Sequence, residues 1–336
     1  MLHTNSSNLP KRLFQFSIIA FFALMFCFPD ASLAGAKRGL LLWFNTVLPT
    51  LLPFIIISTL LVHLNIASFL CKLCYPVIGK LFGVSKSACD PILLGFLTGI
   101  PLGAKTCSDL VSAGTLSVSE GQFLASMCNN ASPMFVLSYI ALSELNLPHL
   151  SIFLIVILYG SSIISAYILR HFYSFYTGNT YHVEISSLQE KVYVQSLNST
   201  PVQRKKSYIL NFTVVDEAIL DGFEVITKIG GYIILFSIFA QIILSIPGLH
   251  DWIKFISVGI CEITIGIDTI AKSALSAPMK IVLILTITSF GGFSGLAQTK
   301  SVFAESGLSI KTYLKVKLTN TIITLLLASL YVKFIL

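Results

Sequence analysis

The stretch Gly99-Ile100-Pro101-Leu102-Gly103-Ala104-Lys105-Thr106 interrupts an apolar segment that runs from Pro91 to Val111. Glycine and proline both break helices, and a lysine follows this break almost at once. An unwound helix frees backbone N–H and C=O groups, which a bilayer tolerates only where they line a cavity or meet a ligand. The stretch therefore predicts a broken membrane helix with a polar site beside it.

The composition places the whole chain in a membrane. Of its 336 residues, 55% are hydrophobic and only 11% are charged, against about 25% charged in ordinary soluble domains. The mean hydropathy is +0.85, and water would not tolerate so much exposed hydrocarbon. We exclude a soluble enzyme and a disordered chain, and we expect an all-α polytopic membrane protein. The length allows about eight to ten hydrophobic helices, including broken or re-entrant segments.

The charged residues, histidines and cysteines show no pattern of a catalytic, metal-binding or nucleic-acid-binding site. The net charge is +7, but lysine and arginine lie mostly at the ends of apolar runs, as topology determinants do. We therefore expect a lipid bilayer and no nucleic acid as partner. The chain has no P-loop motif, its six histidines are scattered, and the Cys71–Cys74 pair stands alone. We expect no catalytic residue, no metal and no cofactor, hence not an enzyme.

Apolar and polar stretches divide the chain into four parts. Residues 1–38 are expected to form an N-terminal transmembrane helix, although 31–36 also resembles the end of a cleavable signal peptide. Residues 39–170 and 215–336 each form an apolar unit. The polar linker 171–214 is expected in the cytoplasm because it is rich in lysine and arginine. Within the first unit, Pro49 predicts a broken or tilted helix.

The two apolar units contain matching motifs and are predicted to be internal repeats. A shift of about 192 positions superposes Gly99–Gly103 on Gly291–Gly295, and a shift of 191 brings Asn129 onto Asn320. Interrupted segments in corresponding halves are typical of a transporter whose discontinuous helices meet near the membrane midplane. Close helix packing without a substrate is the alternative explanation for such glycines.

The candidate substrate site combines both interruptions with the polar residues that follow them. Ionisable residues inside a membrane are costly and usually face a bundle interior or a cavity. Lys105 and Lys300 would suit an anionic substrate, although each could instead reach the headgroups from a helix end. The candidate substrate-binding residues are Gly99, Pro101, Gly103, Lys105, Thr106, Asn129, Asn130, Ser132, Gly291, Gly292, Ser294, Gly295, Gln298, Thr299, Lys300 and Asn320.

Three stretches, Leu41–Phe54, Gly99–Lys105 and Asn129–Phe135, resemble the sporulation integral membrane protein YlbJ family. That family belongs to a wider group with the nucleoside-recognition Gate domain. The resemblance covers the chain from Gly39 onward and is looser in the second half. It implies a Gate-like, multi-pass protein of the outer forespore membrane that moves dipicolinic acid, a small planar dianion, towards the spore. A homo-oligomer or a complex with other sporulation membrane proteins is compatible with that role.

For such an anion, helix N-termini freed at the two interruptions would donate backbone N–H groups to the carboxylates. Lys105 would balance charge, while Thr106, Asn129 and Ser132 would orient the ring. Two other functions stay open. A nucleoside or related metabolite carrier would use uncharged polar recognition and a coupling carboxylate, with Asp109, Glu262 and Asp268 as candidates. A non-transporting scaffold for spore assembly would need neither.

Overall fold

The structure is a computed structural model that describes residues 9–64, 66–177, 212–303 and 306–334. Every regular element in these ranges is helical, which confirms the all-α class. Five helices are long and apolar enough to cross a bilayer, or six if one bent pair counts as a single span. Large apolar side chains stay exposed on their outer faces, as lipid contact requires. Most of the predicted linker 171–214 lies outside the described residues.

The chain begins with four helices. They are α1 (Leu9–Cys27), α2 (Pro29–Leu42), α3 (Leu48–His63) and α4 (Ile66–Phe82). The predicted break at Pro49 does not occur, because a π-helical turn, Trp43–Val47, joins α2 to α3 ahead of that proline. A π turn absorbs an irregular hydrogen-bond register without ending the helix. The predicted boundary at residue 38 consequently falls inside a continuous helix.

The remaining helices form two similar series. The first series is α5 (Cys89–Thr98), α6 (Leu102–Ser112), α7 (Val118–Cys128), α8 (Phe135–Glu144, wound as a π-helix) and α9 (Ser151–Thr177). The second is α10 (Phe212–Ser245), α11 (Asp251–Cys261), α12 (Ile263–Ala271), α13 (Ala277–Phe290), α14 (Gly292–Val302) and α15 (Ile310–Phe334).

Each series contains one hairpin of two short helices that touch through glycines. In the hairpin α5–α6, a Cβ atom on Gly103 would lie 2.9 Å from the Cα atom of Gly95. In the hairpin α11–α12, a Cβ atom on Gly266 would lie 2.6 Å from the Cα atom of Gly259. No side chain fits at either contact, so glycine is what allows both hairpins to close.

Each series also contains one interrupted helix pair, which we call its broken span, after the hairpin. The first is α7–α8, interrupted at residues 129–132, and the second is α13–α14, interrupted at Gly291. Gly291 has a φ angle of +84°, a left-handed conformation that favours glycine. The helix pair α13–α14 is still long and apolar enough to count as one crossing, Ala277–Val302.

These elements correct the predicted alignment of the two halves. Hairpin, broken span and final helix recur at a spacing of about 160 positions, as in a structural repeat. The predicted shift of 192 is wrong as a structural correspondence, because it superposes the turn of a hairpin at Gly99–Gly103 on a kink within a span at Gly291–Gly295. Glycine is needed at Gly103 for the close contact of two helices and at Gly291 for a left-handed backbone conformation. The sequence motif alone does not distinguish these two roles.

Equivalent helices of the two units pack antiparallel. On α9 and α15, the ring of Phe153 stacks on that of Tyr331 at 5.5 Å, and the Oγ atom of Ser161 lies 2.7 Å from the Oγ1 atom of Thr324. Residue numbers therefore rise along one helix as they fall along the other. The pair α2–α3 runs antiparallel to α10 in the same way: Gly39 lies against Ser237, and Gly222 lies against residues of α3. This is the arrangement of inverted repeats.

Candidate transport site

The two hairpin tips and the two helix breaks surround one small central cavity. Its volume is about 60 Å³, which is room for about two water molecules. Its polar lining comes from both units and consists of Thr98, Ser132, Glu262, Thr264, Ser294 and Gln298. A drug-sized solute needs several hundred cubic ångströms, so the hairpin tips would have to separate to admit one.

One apolar side chain from each hairpin tip lies against the second break. A Cβ atom on Gly291 would lie 3.3 Å from the Cδ1 atom of Ile100, which is the tip of the first hairpin. A Cβ atom on Gly292 would lie 3.3 Å from the Cγ2 atom of Ile263, at the tip of the second hairpin. The backbone N–H of Ile100 also donates to the carbonyl oxygen of Asn130 at 2.9 Å. The tips and breaks therefore form one contact region.

Glu262 is the acidic group of the cavity. It stands at the turn of the second hairpin and is 1% exposed. Its carboxylate accepts hydrogen bonds from the backbone N–H of Ile265 at 2.7 Å and from the Thr264 hydroxyl at 3.1 Å. It forms no ion pair with any described residue. An unpaired carboxyl group at this depth is a functional candidate by its cost alone.

The first break is held by the side chain of Asn129. Its amide Nδ2 donates to the hydroxyls of Thr299 and Tyr313, both at 2.9 Å. Its Oδ1 atom accepts from the backbone N–H of Ala104 at 3.4 Å. One asparagine thus joins the first hairpin, the first break, α14 and α15, and this network ties the two units together.

Lys317 supplies a buried cation at the same break. The side chain lies on α15 and is 1% exposed. Its Nζ atom donates to the carbonyl oxygen of Asn129 at 2.7 Å and to the Oδ1 atom of Asn130 at 2.9 Å, and it lies 5.6 Å from the ring centre of Tyr313. No carboxylate among the described residues pairs with it. Lys317 therefore satisfies a carbonyl group that the break frees.

The structure brings most of the predicted site residues to this region. Those that line the cavity are Ser132, Gly291, Ser294, Gly295 and Gln298. Those that form the turn or the buried network next to it are Gly99, Pro101, Gly103, Asn129, Asn130, Gly292 and Thr299. Asn320 is buried on α15 and donates one 3.3 Å bond to the carbonyl of Ser289. Thr106 donates to the carbonyl of Leu102 in its own helix.

The two predicted lysines lie elsewhere. Lys105 is exposed and forms an ion pair with Asp109 at 2.7 Å, one turn along α6. Lys300 is exposed on α14. Neither lines the central cavity. The sequence predicts both lysines near a break because each follows an interruption within a few residues. In the structure, both side chains lie on the outward face of their helices.

Sequence reasoning missed Lys317 and weighed Glu262 only as a coupling carboxylate. A signal for Lys317 exists in the sequence. Tyr313, Lys317, Asn320 and Thr324 follow one another at spacings of four, three and four, which draws a polar stripe along one face of an apolar helix. All four side chains are buried. A polar stripe in a membrane helix faces protein, so this lysine could have been separated from the exposed ones.

The described residues define a class: a helical integral membrane protein built of two units of opposite direction, each with a hairpin of two short helices and an interrupted helix pair. The chain is similar to the "Sporulation integral membrane protein YlbJ" of Bacillus subtilis (strain 168), with 26% identity over 307 residues that cover 85% of this chain and 74% of that protein. This similarity confirms the predicted resemblance to the YlbJ family and supports a membrane role in sporulation. No family model matches the chain. No solved structure matches it.

Proposed function

We propose that this protein carries a small organic anion across the bilayer during sporulation, and that the central cavity is its substrate site. The observation that supports the proposal is the meeting of two hairpin tips and two helix breaks from inverted units at one cavity. Irregular backbone at membrane depth is characteristic of transporters, where it coordinates the solute. The resemblance to the YlbJ family makes dipicolinate the first candidate and the outer forespore membrane the expected location.

Lys317 favours an anion over a neutral solute. Lys317 has no carboxylate partner among the described residues, so a positive charge on it is costly, and a dianion that reached the first break would offset that cost. The N-terminus of α14 adds to this charge, because its dipole is positive and no side chain caps it. Glu262 in the same cavity would repel the anion while ionised. We expect Glu262 to be protonated when the anion binds, which would couple the anion to a proton.

The first test measures uptake of labelled dipicolinate and labelled uridine into liposomes that contain the purified protein. We expect dipicolinate to enter, and we expect Lys317→Gln to lower its initial rate at least tenfold. Glutamine keeps an amide donor for the Asn129 carbonyl, so the packing is largely preserved while the charge is lost. Lys105→Gln is the matched control and should leave the rate within twofold of the unmodified protein.

Three results would count against the anion proposal. Equal effects of Lys317→Gln and Lys105→Gln would remove the role of the buried cation. Entry of uridine alone would favour the second candidate function, a nucleoside carrier. The uncharged polar residues of the central cavity and the carboxyl group of Glu262 support that alternative. In that case Glu262→Gln should abolish ion-driven uridine uptake. Entry of neither solute, from protein that elutes as a folded species, would favour a scaffold.

A further inference from the structure

A second cavity opens at one end of the bundle, away from the hairpin tips. Its volume is about 480 Å³, within the range of about 300–1,000 Å³ that small-molecule sites occupy. The turn after α4, the start of α7, the end of α9 and the start of α15 enclose it. We call it the outer cavity. It is eight times as large as the central cavity in the same structure.

The outer cavity is lined by two cationic side chains and one carboxylate. Arg170 lines it, stacks over the ring of Phe123 at 4.9 Å and donates to the carbonyl oxygens of Phe82 and Gly83. Lys315 also lines it and forms no ion pair with a described residue. Glu120 is the acidic residue in its lining, and its carboxylate accepts from the backbone N–H of Ser85 at 2.6 Å.

Polar atoms without partners are buried in its wall. Ser126 is 3% exposed, and its Oγ atom has no hydrogen-bond partner among the described residues. Gln122 uses its Oε1 atom to accept from the backbone N–H of Ser309 at 2.6 Å, which leaves its amide Nε2 without a partner in the described part of the chain. Both residues line the outer cavity. A buried donor without a partner costs free energy that a bound acceptor would recover.

Two helix N-termini add to this set of donors. The first turn of α7, capped by Ser117, and the first turn of α15, capped by Ser309, both contribute lining residues. The positive ends of two helix dipoles therefore face a cavity that already contains Arg170 and Lys315. The remaining walls are apolar, with Val84, Val118 and Val316 among them. Cationic donors over an apolar body suit an organic anion.

The outer cavity ends close to the buried network at the first break. Ser126 in its wall lies on α7, three residues before Asn129, which follows the end of that helix, and Lys315 precedes Lys317 by two residues on α15. Three helical residues rise only about 4.5 Å. Two helices thus lead directly from the outer cavity to the side chains that hold the first break.

We infer that the outer cavity is a vestibule that binds the organic anion before it reaches the central site, with Arg170 and Lys315 as its recognition residues. The inference rests on the proposed function and adds to it a second, larger binding site on the transport path. Binding there raises the local concentration of the anion beside Lys317, and the gap of one helical turn is the barrier that the broken span must open.

The test is the concentration dependence of dipicolinate uptake into liposomes at low ionic strength. We expect Lys315→Gln to raise the KM about tenfold with little change in the maximal rate, since the charge acts on capture rather than on the barrier. The effect should shrink at 300 mM salt, because screening weakens exposed charges. Arg170→Gln should also raise the KM. Because it removes the hydrogen bonds to the carbonyl oxygens of Phe82 and Gly83 as well, Lys315→Gln is the decisive variant.

Lys311→Gln is the matched control, because Lys311 is exposed on the same helix and does not line the cavity. An unchanged KM for Lys315→Gln, or an equal change for Lys311→Gln, overturns the vestibule. If the unmodified protein transports no anion, titration calorimetry of dipicolinate against the detergent-solubilised protein decides the binding site by itself. Weaker binding in Lys315→Gln then supports the site although the transport proposal has failed.

A lipid headgroup offers the same anionic chemistry as a soluble acid. Native mass spectrometry of the purified protein distinguishes the two sources. A phospholipid that is retained by the unmodified protein and lost from Lys315→Gln, together with absent dipicolinate binding, assigns the outer cavity to lipid and overturns the vestibule.

Discussion

The two broken spans are stabilised at their interruptions in different ways. At the first break, the side chains of Lys317 and Tyr313 on α15 donate to the carbonyl oxygen of Asn129, and the Asn129 side chain accepts from the backbone N–H of Ala104 in the first hairpin. At the second break, Gly291 takes a left-handed conformation, and α14 begins without a side-chain cap. One break is therefore fixed by a network, whereas the other depends on backbone freedom. The difference indicates that the second break moves more easily, since fewer specific contacts must be exchanged.

The largest effect should come from removing the network at the first break. Asn129→Ala deletes two donated bonds and one accepted bond and leaves the hydroxyls of Thr299 and Tyr313 without this partner. We expect a loss of about 2 kcal/mol in the free energy of unfolding, since buried hydrogen bonds between membrane helices average somewhat less than 1 kcal/mol each. Unfolding in a mixed-micelle titration measures it. A loss below about 0.5 kcal/mol would contradict the view that this break is fixed by its network.

An intermediate effect is expected at the second break. Gly291→Ala places a side chain at a φ angle of +84° and brings its Cβ atom within 3.3 Å of the Cδ1 atom of Ile100. The strain costs about 1–2 kcal/mol, and the flexible end of the isoleucine can shift. We expect the same titration to show a smaller loss than for Asn129→Ala, while uptake falls more than stability does. Gly160→Ala is the control, because nothing lies near a Cβ atom at that position.

The smallest effect should appear at Asn320, which the shift of 191 positions superposes on Asn129. Among the described residues, the Asn320 side chain makes one hydrogen bond, at 3.3 Å, and its Oδ1 atom has no partner. We expect Asn320→Ala to cost about 0.5 kcal/mol in the free energy of unfolding. Equal losses for Asn129→Ala and Asn320→Ala would restore the equivalence that the sequence motif suggested.

Much of the architecture could be predicted from the residues. Composition and hydropathy determined the all-α membrane class, because no soluble core can bury so much apolar surface. The stretch Gly99–Thr106 predicted an interruption, and Asn129 and Gln298 were placed at the site from their position after the motifs. The π-helical turn ahead of Pro49 could not be predicted, since its register depends on how α2 and α3 pack along α10.

The sequence alone predicts the interruptions at Gly99–Gly103 and at Gly291, because glycine and proline act locally on the backbone. Which breaks face each other depends on the tertiary packing, in which the helices recur at a shift of about 160 positions and not of 192. It also decided which lysine is buried: Lys105 turns outward to Asp109, and Lys317 turns inward to Asn129. The physical reason is that burial is set by the rotation and neighbours of a helix, which no single segment contains.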